Sequence, residues 1–261
     1  MDILALILVG AVAGTLAGLL GIGGGAIIVP VLAVVFEHRG VSSSALMQSA
    51  IGTSLATIVF TAISSIRAHQ KRGSIRWAVV WNLTPGIAAG ALVGASIAHV
   101  LPGKLLKVLF GVFLLVIAVQ IAWPTMPKTN RPMPSRPWMV LAGGVIGVVS
   151  SLFGIGGASI SVPFLMWCGL EPVAVVGTAV AMGLPIALAG TVGYVVTGMN
   201  AVDLPPLSVG YVVLPAFGGI VVASVLFAPL GARLAHKLRP VTLRRLFAAL
   251  LVIFGTRLLL G

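Results

Sequence analysis

The sequence predicts an all-α, polytopic membrane protein built from two inverted repeats. Three observations carry that expectation: an apolar composition, an internal duplication and a lopsided distribution of basic residues. Of 261 residues, 59% are hydrophobic and only 8% are charged, and the mean hydropathy is +1.18. Soluble domains carry about 25% charged residues, so this chain could not cover a water-facing surface. A bilayer-spanning helix needs roughly 20 apolar residues, which leaves room for about eight or more passes. The apolar stretches are continuous rather than alternating, and that excludes a transmembrane β-barrel. The 33 Gly and 16 Pro suit helices that pack closely in lipid or break around a site. The start, Met1-Asp2-Ile3-Leu4, lacks the positive region of a cleaved signal peptide, so the first apolar segment is expected to be retained.

The duplication is direct. Residues 18–32 read GLLGIGGGAIIVPVL and residues 151–165 read SLFGIGGASISVPFL, an offset of 133. Ile51-Gly52-Thr53-Ser54 resembles Val176-Gly177-Thr178-Ala179, Thr84-Pro85-Gly86 resembles Leu214-Pro215-Ala216, and 104–122 resembles 242–260. Four matches in one order make duplication the simplest account. The repeats are then 1–123 and 138–261, joined by a Pro-rich, basic linker at 124–137. Each half reads as one long Gly-broken segment (3–36 and 138–168), followed by spans near 44–66, 77–99 and 104–123, then 172–196, 208–228 and 242–260. A 34-residue helix would measure about 51 Å against ~30 Å of hydrocarbon, so the long segments must break, and the glycine runs are where they do.

Charge decides how they break. If each long segment crosses once, the basic residues divide evenly between the two sides. If each turns back at its glycines, the halves are inverted. One side then collects Arg67, Lys71, Arg72, Arg76, Lys128, Arg131, Arg136, Arg233, Lys237, Arg239, Arg244 and Arg245, and the other keeps Arg39, Lys104, Lys107 and Arg257, 12 against 4. Basic residues concentrate on the cytoplasmic face, so the sequence predicts re-entrant or hairpin segments and a cytoplasmic linker in a multi-pass inner-membrane protein. Trp77, Trp123, Trp138 and Trp167 fall at predicted span ends, as an aromatic belt would place them.

The candidate site follows from the glycine runs. Where two half-helices meet, the second presents free N–H groups and a positive dipole end, which suit an anion. Gly23, Gly24, Gly25, Gly156 and Gly157 are therefore candidate binding residues, with tight helix packing as their other reading. Gln48, Ser49, Gly52, Thr53 and Thr57 share one helix side and are expected to face inward. Gln48, Ser49 and Thr53, together with Thr178, Ser159 and Ser161, could hydrogen-bond an oxyanion, or could bond their own backbone or glue helices. His69, among Arg67, Lys71 and Arg72, is a candidate gate or an interfacial cation cluster. Glu37 and Glu171 fall near equivalent places and are candidate coupling residues.

The duplicated GxGGG-x4-P-x-L pattern, the Ala45–Ser54 element and His69 ahead of Gly73 resemble the TauE/SafE family of sulfite-exporter-like permeases, over nearly the whole chain. Ala158 and Tyr194 depart from the pattern of the first half. The resemblance implies a permease for small anions: sulfite, sulfonates such as sulfoacetate, or small organic acids.

Other classes fit less well. No His/Cys/Asp/Glu cluster has metal spacing, no P-loop occurs, and no nucleophile, base and metal set suggests an enzyme. No cofactor is expected. The net charge of +12 sits in short clusters between spans, as lipid-facing loops do and nucleic-acid surfaces do not. The expected partners are a small anionic substrate and membrane lipid, and a homo-oligomer is compatible with the sequence. An inside-negative potential favours anion export, with a channel of the same architecture or ion-coupled uptake as alternatives.

Overall fold

The computed structural model describes residues 24–122, 133–224 and 240–260. They form helices α1 (Gly25–His38), α2 (Leu46–Lys71), α3 (Trp77–Val100), α4 (Gly103–Ala122), α5 (Arg136–Leu152), α6 (Ala158–Trp167) and α7 (Pro172–Gly198). A two-stranded hairpin follows, β1 (Ser208–Val209) and β2 (Val212–Val213). The helices α8 (Leu214–Ser224) and α9 (Pro240–Leu260) complete the described chain. Four helices, α2, α3, α4 and α7, are long and apolar enough to cross a membrane. Prolines set several boundaries: α3 stops before Pro102, where Leu101 turns extended (ψ 136°), and α7 opens on Pro172 after extended Glu171.

The second long segment breaks at its glycines. Helix α5 ends at Leu152 and α6 begins at Ala158, with Gly154 (φ 64°) and Gly157 (φ 78°) turning the chain between them. Helix α1 starts at the corresponding place in the first half. Its N-cap Gly24 has φ 70° and ψ −20°, and the N-cap of α6, Gly157, has φ 78° and ψ −15°. These two residues, 133 apart, share a left-handed conformation that a side chain disfavours. At 14 and 10 residues, α1 and α6 measure about 21 and 15 Å, too short to span.

Contacts between helices give their directions. On α7, Gly177 lies on Ser74 just past the end of α2 and Gly190 on Leu55 of α2, and Gly52 of α2 lies on Tyr194, so the two helices are antiparallel. Helices α4 and α9 are antiparallel too, with Gly111 against Gly255 and Leu259, and Gly255 against Leu115. Helices α3 and α5 run parallel. A β-carbon on Gly86 would strike the Val140 carbonyl, one on Gly90 the Gly144 carbonyl, and one on Gly94 the Val148 backbone. The missing side chains let these backbones touch, as small-residue stripes do in membranes. Because α5 and α7 both descend beside α3, the 136–172 segment enters and leaves on one side. Helix α1 begins beside Ile58, at the middle of α2, and runs toward the start of α2. Helix α6 runs the opposite way, toward the side where α2 ends.

Exposure is inside-out relative to a soluble domain. Leu92, Val112, Val116, Val145, Leu188 and Val192 are exposed on the outer faces of α3, α4, α5 and α7. Gln48, Ser49, Thr53, Ser54, Thr57, Ser150, Ser151, Ser161 and Thr178 are buried. Lipid stabilises the first set, and backbone partners hold Gln48, Thr53, Ser54, Thr57 and Thr178 of the second. The inward face expected for Gln48, Ser49, Thr53 and Thr57 is what the fold shows.

One expected span needs correction. The 208–228 stretch opens as the hairpin 208–213 and becomes helical only at Leu214, because Gly210 takes φ 55° and Pro215 sits in the first helical turn. Trp77, Trp138 and Trp167 stand at helix ends. Trp123, residues 124–132 of the linker, and Gly23 lie outside the described residues.

Candidate functional site

The start of α1 meets the turn that leads into α6. A β-carbon on Gly25 would collide with the Gly154 carbonyl and lie 2.9 Å from Ile155 Cα, and one on Gly154 would lie 2.9 Å from Val29 Cγ2. The first hydrogen bonds of α1 run from Ile27 and Ile28 N–H to the Gly24 carbonyl, and those of α6 from Ile160 and Ser161 N–H to the Gly157 carbonyl. The amides of Gly25 and Ala26, and of Ala158 and Ser159, therefore precede both ladders at the positive ends of the helices. Ser54 on α2 donates to the Gly154 carbonyl at 2.9 Å, fixing the second turn against the first half. Gly183 of α7 packs on the Gly156 carbonyl. None of the buried polar side chains among the described residues is charged.

The other candidates are held around this centre rather than at it. Gln48 donates from Nε2 to the Ala98 and Leu101 carbonyls at 3.2 and 3.1 Å, closing the end of α3. Thr53 Oγ1 accepts the Val213 N–H at 3.0 Å, and Thr178 Oγ1 accepts the Arg76 N–H at 3.0 Å. The sequence-equivalent threonines thus make equivalent bonds, each to the residue just before a helix of the other half, on opposite sides of the glycine turns. Ser49 Oγ is buried with no partner among the described residues. Ser159 is half-buried in the first turn of α6.

At the end of α2, His69 Nδ1 lies 3.0 Å from Ser74 Oγ, beside the turn that carries Arg76. On the other side, Glu37 pairs with Lys107 at 3.1 Å in a cleft of about 430 Å³ that Lys104, Met47 and Leu258 also line. Glu171 is exposed at the start of α7. Neither acid reaches the glycine turns.

Sequence reasoning did not name Ser54, Ser150, Ser151, Tyr194 or Tyr211 as site residues. Tyr194, fully buried, donates to the Ser151 carbonyl at 3.2 Å and packs edge-on to Tyr211, whose hydroxyl meets His99 Nδ1 at 2.9 Å. Ser54 was legible as the serine of the G-T-S element, and Ser150 and Ser151 as hydroxyls just ahead of the second glycine run. The Tyr194–Tyr211 pair had no sequence signal, because it depends on the buried hairpin.

The family described as sulfite exporter TauE/SafE matches residues 6–258. A "Probable membrane transporter protein" of Haemophilus influenzae is 35% identical over 99% of this chain and 98% of its own length. Probable membrane transporter proteins of Methanocaldococcus jannaschii and Bacillus subtilis are 28% and 26% identical, covering 98% and 99% of this chain and 94% and 98% of theirs. No solved structure matches. With helices of membrane-spanning length, an apolar outer surface and this match from end to end, the chain is a multi-pass membrane transporter, not an enzyme, and belongs to the TauE/SafE sulfite exporter family.

Proposed function

We propose that the protein moves small oxyanions, such as sulfite, sulfonates or small carboxylates, across the inner membrane by alternating access, with the substrate held at the glycine turns. The observation that carries this reading is a pair of half-helix N-termini, capped by left-handed Gly24 and Gly157 and joined where Gly25 at the start of α1 packs on Gly154 and Ile155 of the turn into α6, in a core whose described residues offer no buried cation. Helix N-termini are then the positive elements a buried anion can use. The antiparallel directions of α2 and α7, of α4 and α9, and of α1 and α6 support inverted repeats. So does charge: Arg67, Lys71, Arg72, Arg76, Arg136 and Arg245 share one side, and Arg39, Lys104, Lys107 and Arg257 the other. The first side is the cytoplasm on this reading.

Export suits the energetics. An inside-negative potential contributes about 2.3 kcal/mol per charge per 100 mV, so a divalent anion gains roughly 4.6 kcal/mol on leaving, enough for a thousandfold gradient without a coupling ion. The test is flux in proteoliposomes with sulfite, sulfoacetate and acetate. Saturable flux that Gly24→Leu or Gly157→Leu abolishes, in protein that still inserts, is expected. Flux proportional to concentration without saturation would instead make the protein a channel.

A further inference from the structure

The two glycine turns are alike in backbone and unlike in hydroxyls. Ahead of and within the second turn's helix stand Ser150, Ser151, Ser159 and Ser161, where the first half has Ala17, Gly18, Ala26 and Ile28 at the offset of 133. Ser150 and Ser161 are 1% and 0% exposed, and neither Oγ has a hydrogen-bond partner among the described residues. Both converge on one point. A β-carbon built on Gly157, the N-cap of α6, would stand 3.4 Å from Ser150 Oγ and 3.5 Å from Ser161 Oγ. Glycine leaves that point free of its own side chain. The atom nearest it is the flexible Ile186 δ-methyl, one residue beyond Pro185, which removes a hydrogen bond from α7 and lets that helix bend.

Buried hydroxyls without partners are costly, and their presence needs an explanation. Two of them aimed at the N-cap of a ten-residue helix, ahead of the N–H groups of Ala158 and Ser159, bring together up to four hydrogen-bond donors. We infer that the oxyanion lodges on the second glycine turn, with one oxygen between the Ser150 and Ser161 hydroxyls. The first turn, whose corresponding positions are aliphatic or glycine, is the packed surface against which that site is formed. This deepens the proposed role of the turns and rests on it. Up to four donors at the positive end of a helix favour a fully ionised sulfonate, sulfite or carboxylate group over its protonated form. Entry requires Ile186 to rotate away.

The experiment measures ligand-dependent thermal shift and calorimetric affinity of the purified protein for sulfite, sulfoacetate, acetate and phosphate. The variants are Ser150→Ala, Ser161→Ala, their double, Gly157→Leu, Gly24→Leu and a control, Ser224→Ala, which removes another buried unpartnered hydroxyl on α8. Each turn serine variant is expected to weaken the best-bound anion about tenfold or more, and the double further, as loss of a hydrogen bond to a charged group does. Melting without ligand should stay level or rise, since an unsatisfied hydroxyl has been removed. Ser224→Ala should bind like the wild type. If both serine variants bind normally while Gly157→Leu does not, the hydroxyl assignment is wrong and the glycine-turn reading stands. If the serine and both glycine variants all bind like the wild type, the glycine-turn reading falls with it. Absence of any shift for the wild type with all four anions overturns both.

Discussion

Thr53→Val removes a single acceptor and leaves the shape of the side chain almost unchanged. In the structure, Thr53 and Val213 are 0% and 1% exposed, and the Val213 N–H donates to the Thr53 hydroxyl at 3.0 Å. Valine leaves that amide buried without a partner, at a cost of about 1–3 kcal/mol. The penalty falls only on the conformation in which α2 and the hairpin are closed together, because an opened hairpin meets water. The variant should therefore shift the equilibrium toward opening on the side of His99 and Lys104 by roughly 5- to 150-fold. Thr178→Val should do less on the opposite side. Its donor, the Arg76 N–H, belongs to an exposed residue at a helix start, where water can replace the lost acceptor.

The assay is labelling of a single cysteine at position 49 by an impermeant thiol reagent, with the buried native Cys168 replaced by alanine. Ser49 is 0% exposed with α2 and the hairpin packed together, so its labelling rate reports the population in which they separate. Thr53→Val should raise the rate at least about fivefold. Thr53→Ser, which keeps the hydroxyl, should leave it near the wild-type value. A Thr53→Val protein that melts lower but labels no faster would make the bond a packing contact and refute its role as a latch.

Three further outcomes are expected. Gly90→Val places side-chain atoms where the Gly144 carbonyl lies, so α3 and α5 must separate, and folded protein should be lost by several kcal/mol of destabilisation, read by detergent-resistant yield. Gln48→Leu releases the Ala98 and Leu101 carbonyls; two net bonds are worth about 1–3 kcal/mol, so melting should fall and transport slow, whereas unchanged melting would show those carbonyls to be solvated. A cysteine at position 130 should resist impermeant reagents in intact cells, and labelling from outside would reverse the assigned orientation.

The helices were legible because their signals are local. Continuous apolar runs, a glycine break in a segment too long to be one helix, and prolines at α3, α5 and α7 boundaries need no knowledge of neighbours. What was illegible depends on pairing. Gln48 and Thr53 read as polar groups facing inward, and they do, but only the fold shows that their bonds go to α3 and to the hairpin. The hairpin itself was hidden, since 208–213 is apolar enough to pass for the start of a span and its Gly210 turn is stabilised by packing on Val195. Thr178 and Thr53 were matched by sequence as candidate ligands. The structure shows the match to be one of geometry as well, expressed as two bonds of equal length on opposite sides of the centre.

The duplication also concealed a difference that matters more than the likeness. Matching motifs draw the eye to Gly24 and Gly157, which are indeed alike in φ and in their place at a half-helix start. A duplicated backbone, however, supplies two equivalent positive ends, and a small anion needs only one. Two identical sites facing each other across the Gly25–Gly154 contact would place two negative charges close together in a medium of low dielectric, where repulsion is severe. Breaking the symmetry with serine on one side and aliphatic groups on the other removes that conflict. The first turn can then serve steric closure, which requires small residues at contact, while the second serves recognition, which requires donors without partners. The same division follows from Ser54, whose hydroxyl from the first half fixes Gly154 of the second, with Ala179 at the equivalent place in return. On the proposed reading one half positions and the other binds, and exchange of access between the two sides then needs only the two threonine latches to open in turn.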